Sequence, residues 1–242
     1  MTLERWLAAH EYLRPVARVR DRVERALGPL DQVPRPAAPV WAHYEADYAA
    51  GIPLLQSPGA AIDLAPLEHA VATAIARLEG ADLGQDHSDG FSRYAGWIVR
   101  ATALRPLLEA FDQWRDDDRW LRPSCPACGS PPAMAQLVGR DPGRRRLLSC
   151  GCCGTRWRYA RTGCPFCETE SHRLAGLGIE GEAGLRIDYC ESCHGYLKTY
   201  DGQGGEEVLL ADWTSVHLDL LARDRGLQRL AASLYELDPQ AT

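Results

Sequence analysis

Apolar residues recur at helical spacing through the first half of the chain. Leu3, Trp6, Leu7, His10 and Leu13 form a stripe behind Thr2 that Pro15 interrupts. Val16, Val19, Val23 and Leu27 continue it to Gly28-Pro29. After a proline-rich stretch, the spacing predicts a short helix over 41–50, stopped by Gly51. IPLLQSPG at 52–59 fits no regular helix and reads as an extended, exposed apolar loop. Asp63 is placed to cap a helix through Leu64, Leu67, Val71, Ile75 and Leu78. Tyr94, Trp97, Ile98, Ala101, Leu104, Leu108 and Phe111 make a long stripe, which Pro106 either kinks or restarts.

The pattern changes at residue 121. Glycine, proline, cysteine and β-formers replace the Ala/Leu/Glu/Arg periodicity, and short strands are predicted at 133–138, 145–149, 155–160, 173–178, 185–189 and 196–200. Helical spacing returns from 205, with Leu209, Leu210, Trp213, Val216, Leu220 and Leu221 ending at Gly226. The expected organisation is therefore α+β: a helical N-terminal domain over 1–120, small hairpin modules over 121–204 and a C-terminal helical segment over 205–242.

Composition narrows the function classes. The 242 residues carry a net charge of −6 with a pI near 5.7, which argues against a general nucleic-acid binder; the single lysine, Lys198, among 27 basic residues reads as a compositional habit. No stretch is apolar enough to span a membrane, and the Met1-Thr2-Leu3-Glu4-Arg5 start does not open a signal peptide, so a cytoplasmic location without stable membrane insertion is expected.

All nine cysteines fall between Cys125 and Cys193, and eight of them make four Cys-x-x-Cys pairs. In a reducing compartment that spacing points to metal or redox chemistry rather than structural disulfides. Two thiolates from one tight turn reach one ion, and two facing turns complete a tetrahedral all-sulfur site that suits zinc or iron. Gly129 and Gly154 directly follow two of the turns, where a positive φ is often needed. Cys128 and Cys150 have 21 residues between them and Cys167 and Cys190 have 22, each gap holding a predicted hairpin. Spacing thus assigns Cys125, Cys128, Cys150 and Cys153 to one ion and Cys164, Cys167, Cys190 and Cys193 to a second. A cross-braced arrangement, first pair with third and second with fourth, satisfies the same chemistry. Cys152 reads as a turn residue, with ligand exchange against Cys153 as the alternative. His172 and His194 border the second set and read as surface residues, since four thiolates fill the coordination sphere. Arg144-Arg145-Arg146 reads most simply as a solvated hairpin tip, a phosphate site being the minority reading. No Ser/His/Asp or paired-carboxylate spacing calls for catalysis.

The run LSCGCCGTRWRYARTGCPFCE, with CPACG before it and YCESCHGYLKTY after it, closely resembles the FdhE family of formate dehydrogenase accessory proteins. The likeness extends more loosely over the whole chain, including the GIPLL segment from Gly51 to Leu55. It implies two rubredoxin-like modules holding iron, or zinc, on the eight paired cysteines. It further implies a non-enzymatic cytoplasmic maturation factor that binds the catalytic subunit of respiratory formate dehydrogenase. Two other classes share the modules: a zinc-ribbon nucleic-acid-binding protein and a thiol–disulfide enzyme. Ile52, Leu54 and Leu55 are candidates for partner contact, against packing within the protein, and the surface near Trp157 and Tyr196 is expected to take part in docking.

Overall fold

The computed structural model describes residues 7–8, 11, 14–28, 38–79, 89–169, 173–180, 184–202, 211–212 and 214–231. Its helices are α1 (Arg14–Leu27), α2 (Ala38–Ala50), α3 (Ala65–Glu79), α4 (Asp89–Trp114) and α5 (Val216–Asp224). Its strands are β1 (Pro132–Val138), β2 (Arg145–Cys150), β3 (Arg156–Tyr159), β4 (Leu174–Gly178), β5 (Leu185–Cys190) and β6 (Tyr196–Gly202). The mixture is α+β. Most of the Leu3–Leu13 stripe, together with Leu209, Leu210 and Trp213, lies outside the described residues.

The compact units do not follow chain order. One holds α1 and Ala61–Trp114, and the other holds Pro39–Ala60 and Arg115–Ser233. In the first, α3 packs against α4 and α1 packs against both. Asp63 caps α3 by accepting from the Ala65 amide at 3.0 Å. Of the expected stripe of α3, Leu78 is buried and Leu64, Leu67 and Val71 are half-buried, but Ile75 is 45% exposed, and Ala70 and Ala74 are buried instead. Ala70 and Ala74 lie among the buried residues of a helix that packs against α4. Pro106 neither ends nor restarts α4, which runs through it for 26 residues. Its neighbours Ala103, Leu104, Leu107 and Leu108 are all buried, so packing holds the helix where the missing N–H weakens it.

The second unit is built on a six-stranded sheet in the order β3-β2-β1-β6-β5-β4. Each of its halves is a three-stranded antiparallel meander, and β1 joins β6 in parallel. The second half therefore repeats the first by translation along the sheet. Ile187 and Tyr196 pack on Leu218 and Ala222 of α5. That burial corrects the C-terminal stripe, because Leu218 and Ala222 face the sheet while Leu220 is 40% exposed.

Segment 52–57 is also unlike its expectation. It is neither extended throughout nor exposed: Leu54–Gln56 form a single 3-10 turn and Leu54 is fully buried. The Leu54 and Leu55 amides donate to the Pro126 and Ala127 carbonyls at 2.9 and 2.8 Å, and Gln56 Nε2 donates to the Cys128 carbonyl at 2.9 Å. The first cysteine turn offers unpaired carbonyls, and the segment satisfies them. Among the described residues, no helix is long and apolar enough to cross a membrane.

Candidate metal centres

The four Cys-x-x-Cys turns are one structure used four times. In each, the amide of the residue after the second cysteine donates to the carbonyl of the first, from Gly129 to Cys125, Gly154 to Cys150, Glu168 to Cys164 and His194 to Cys190. The first cysteine's own amide closes the turn by donating to a carbonyl two residues past the second, that of Ser130, Thr155, Thr169 or Gly195. The residue after the second cysteine has positive φ in every turn: Gly129, Gly154, Glu168 and His194. Glycine is therefore not obligatory there, and two turns carry the strain of a side chain in the left-handed region.

The turns pair first with second and third with fourth. Sulfurs of Cys125, Cys128, Cys150 and Cys153 lie within 4.8 Å of one another, as do those of Cys164, Cys167, Cys190 and Cys193. Across the paired turns the separations include 3.4 Å for Cys128 with Cys150, 3.7 Å for Cys125 with Cys153, 3.7 Å for Cys164 with Cys193 and 3.8 Å for Cys167 with Cys190. A disulfide would bring sulfurs to about 2.05 Å. A tetrahedron of ~2.3 Å metal–sulfur bonds has edges of about 3.8 Å. Each group of four thus fits one ion. Zinc held there would be structural, and iron would add a one-electron couple.

Cys152 stays outside the first group. Its amide donates to Cys150 Sγ at 3.3 Å, as Phe166 does to Cys164 Sγ at 3.4 Å in the third turn. It is a turn residue whose backbone offsets thiolate charge, and Cys153 supplies the fourth sulfur. His194 is a turn residue as well, and His172 lies outside the described residues.

Three of the turns also set a hydroxyl against a sulfur. Ser130, Thr155 and Thr169 place their hydroxyl oxygens 3.4, 3.2 and 3.1 Å from the sulfurs of Cys128, Cys153 and Cys167. The signal was legible as Cys-x-x-Cys-x-Ser/Thr; only the fourth turn has glycine there, and the Gly195 amide donates to Cys193 Sγ at 3.4 Å instead. As a free thiol, Cys167 is lowered to about 6, chiefly by the Thr169 hydroxyl. Burial pushes Cys164 up to about 12 and raises Cys125 well above the thiol range. An ion entering either cluster must displace protons from the buried members, so its affinity rises with pH.

The two clusters differ in cover. In the first, Cys125, Cys150 and Cys153 are buried and Cys128 is half-buried. In the second, Cys164 and Cys190 are buried, Cys193 is half-buried and Cys167 is exposed. Trp157 and Tyr196, expected at a docking edge, are both buried: Trp157 Nε1 donates to the Arg122 carbonyl at 3.2 Å and the Tyr196 hydroxyl to Asp219 at 2.7 Å. Bulky aromatics beside the turns fill the core of modules whose strands are short.

A buried ionic cluster supports the second module, and nothing in the helical periodicity announced it. Lys198 Nζ lies 2.8 Å from Asp212 Oδ1 and 2.6 Å from Asp219 Oδ2, and Arg229 binds the same two carboxylates at 2.6 and 2.9 Å. Two cations and two carboxylates balance, as burial requires.

Fold and site together define a class, that of α+β proteins carrying a translational tandem of three-stranded modules, each with its own cluster of four cysteines. Within it, the chain belongs to the FdhE family. It is 35% identical over 192 residues to the FdhE homologue of Pseudomonas aeruginosa, covering 68% of this chain and 60% of that one. It is 33% identical over 129 residues to the FdhE homologue of Aquifex aeolicus, covering 51% of this chain and 46% of the relative. The crystal structure of the P. aeruginosa FdhE protein superposes with a TM-score of 0.59 at 25% identity, covering 93% of this chain and 88% of that one. The matched segments span 60% or less of the lengths of these curated relatives. No protein-family model matches the chain.

Proposed function

We propose that the chain is a non-enzymatic cytoplasmic accessory factor for the maturation of respiratory formate dehydrogenase. It holds one ion on Cys125, Cys128, Cys150 and Cys153 and a second on Cys164, Cys167, Cys190 and Cys193. It binds the catalytic subunit of the dehydrogenase, and its ions are iron, with zinc as the alternative. The observation that carries the reading is the pairing of eight sulfurs at tetrahedral edge lengths in a chain of this family. The asymmetry of cover supports a division of labour. The first site, enclosed by segment 52–57, holds the module together, and the second, with Cys167 at the surface, is where a client could sense or exchange with the ion.

The test is purification of the full chain without oxygen, followed by metal analysis, a visible spectrum and capture of the dehydrogenase subunit. Two ions per chain, sulfur-to-iron charge-transfer bands and capture that weakens in Cys164→Ser are expected. Two colourless zinc ions with capture intact would retain the accessory role and remove the iron. Failure to capture the subunit, together with submicromolar nucleic-acid binding at physiological salt, would replace the reading with a zinc-ribbon one.

A further inference from the structure

The two ends of the sheet are finished differently. At the β3 end, Arg115 Nη2 donates to the Arg156 carbonyl, Trp157 Nε1 donates to the Arg122 carbonyl and Arg158 pairs with Asp118, so residues 115–122 contact three successive residues of the strand. At the β4 end, no hydrogen bond joins the outer side of the strand to another segment among the described residues. Its sequence, LAGLG, has neither the charge nor the proline that usually protects an edge. The phase of the β4–β5 ladder fixes what that edge offers. The Glu191 amide donates to the Arg173 carbonyl at 2.9 Å and the register sets Leu174 opposite Cys190, so the bonded pairs fall on 173, 175 and 177. The amides and carbonyls of Leu174, Gly176 and Gly178 therefore point away from the sheet. Leu174 is half-buried and both glycines are exposed.

The same three residues share one face. Leu177 packs with Ile187 beneath α5, so Leu174, Gly176 and Gly178 face the other way. That face bears a groove of about 420 Å³, running from the two glycines past Arg186 and Asp188 to Leu197 and Phe166. A Cβ built at Gly178 meets nothing within 4 Å, and one at Gly176 meets only Asp188 Oδ1, at 3.6 Å. The charged groups near the glycines are already paired: Arg186 Nε and the Thr199 hydroxyl each donate to Asp188 at 2.7 Å. A neutral occupant suits that pairing. Arg186, with 42% of its side chain exposed, is a planar cation against which a ring can stack. An extended strand added to the edge sets one side chain opposite Gly176 on the groove face, and an aromatic residue there covers what glycine leaves bare. The β4 strand of a second copy would set leucine and glycine there and leave the groove empty. We infer that the β4 edge docks an extended segment of a partner protein, which adds a seventh strand through Leu174, Gly176 and Gly178 and seats an aromatic side chain in the groove. Docking at this edge does not depend on whether the partner is the dehydrogenase subunit.

The test uses the full chain with both clusters metal-loaded and a labelled peptide of alternating threonine and valine, with one central phenylalanine and a lysine at each end. In the chain alone, the amides of Gly176 and Gly178 should exchange with solvent quickly and those of Ala175 and Leu177 slowly. Saturating peptide should slow the two glycines at least about tenfold. Replacing the phenylalanine by alanine should weaken binding about tenfold. Methylating the peptide amides along one edge should abolish binding, and methylating those along the other should leave it. Gly176→Pro removes an outward N–H without breaking a bond to β5, and should weaken binding about three- to tenfold with both ions retained. If that variant loses its ions, the peptide comparisons decide. Glycine amides already protected in the chain alone, no saturable binding, or equal binding of the phenylalanine and alanine peptides would each overturn the inference. So would equal binding of the two methylated peptides, unchanged affinity in an ion-loaded Gly176→Pro, or glycine protection that follows self-association of the chain instead of peptide.

Discussion

The two cysteine modules share their turns, their strands and their sulfur spacing, and differ in what covers them. The first is roofed by segment 52–57, whose backbone caps the carbonyls of the first turn, and walled by the buried Tyr44, Tyr48 and Trp120. The second leaves Cys167 exposed and depends on α5 and the Lys198 cluster for support on one face of its sheet. Gly129 shows how committed the first arrangement is. At φ +81° it occupies the left-handed region, and a Cβ there would lie 2.5 Å from Gln56 Nε2, where the roof passes. Two copies of one cysteine unit thus carry one enclosed and one accessible cluster, and the difference lies in the segments that surround the copies.

The largest expected effect comes from removing a ligand. Cys125→Ser should cost one ion and unfold the first module, because the apparent binding energy of such a site is on the order of 10 kcal/mol and is also folding energy. Cys164→Ser should cost the other ion and leave amide-exchange protection of β1 and β2 largely intact. Equal collapse in both variants would break the comparison, and metal counting with hydrogen exchange decides.

Next comes the ionic cluster. Lys198→Met should destabilise the chain by roughly 3–5 kcal/mol, because two buried carboxylates then share Arg229 as their one cation. Denaturant unfolding of the metal-loaded protein measures it. The same cluster sets a pH signature. Burial pushes the Asp212 carboxyl up, but Arg229 and Lys198 outweigh burial and hold it below the usual carboxylate range. A carboxyl depressed in the folded state contributes stability that is fully present above its ordinary value of about 3.9 and is lost as pH falls through the lower folded value. The contribution of Asp212 should therefore stay flat from about pH 7 to 5 and decline only below about 4. A decline starting nearer pH ~6 in wild type but absent from Lys198→Met would contradict this assignment.

Leu54→Ala tests the roof. Removing a fully buried leucine costs about 2–4 kcal/mol. A chelator should then strip the first site faster while the rate at the second stays the same. Unchanged rates at both would mean that the roof does not control access. The smallest effect concerns backbone strain. Glu168, at φ +57°, stands where the first module has glycine. Glu168→Gly should raise stability by about 0.5–1 kcal/mol with both ions bound, and a lower denaturant midpoint would show that the side chain contributes more than its strain costs.

Local pattern alone determined the strands, the four turns and the helix over 41–50, whereas the choice between paired and cross-braced cysteines came from the structure. The strands, the turns and that helix depend on residues close in the chain, where alternation, glycine placement and the two-residue gap between cysteines act directly on backbone geometry. Tertiary structure decided what those patterns leave open. Segment 52–57 looks like an exposed loop until the carbonyls of a turn some 70 residues away satisfy its amides. Ile75, placed on the apolar stripe by spacing, is exposed while its neighbour Ala74 is buried, because the packing of neighbouring elements sets which residues of a helix are covered. Lys198, Asp212, Asp219 and Arg229 are each ordinary surface residue types; only the packing of α5 on the sheet makes them a neutral buried set. Arg146 sits in a run of three arginines that reads as solvent-facing, yet the alternation of β2 and the second module beside it turn that one side chain inward. Burial of charge is a property of the assembled environment, where desolvation must be balanced by partners distant in sequence, and periodicity carries no record of those partners.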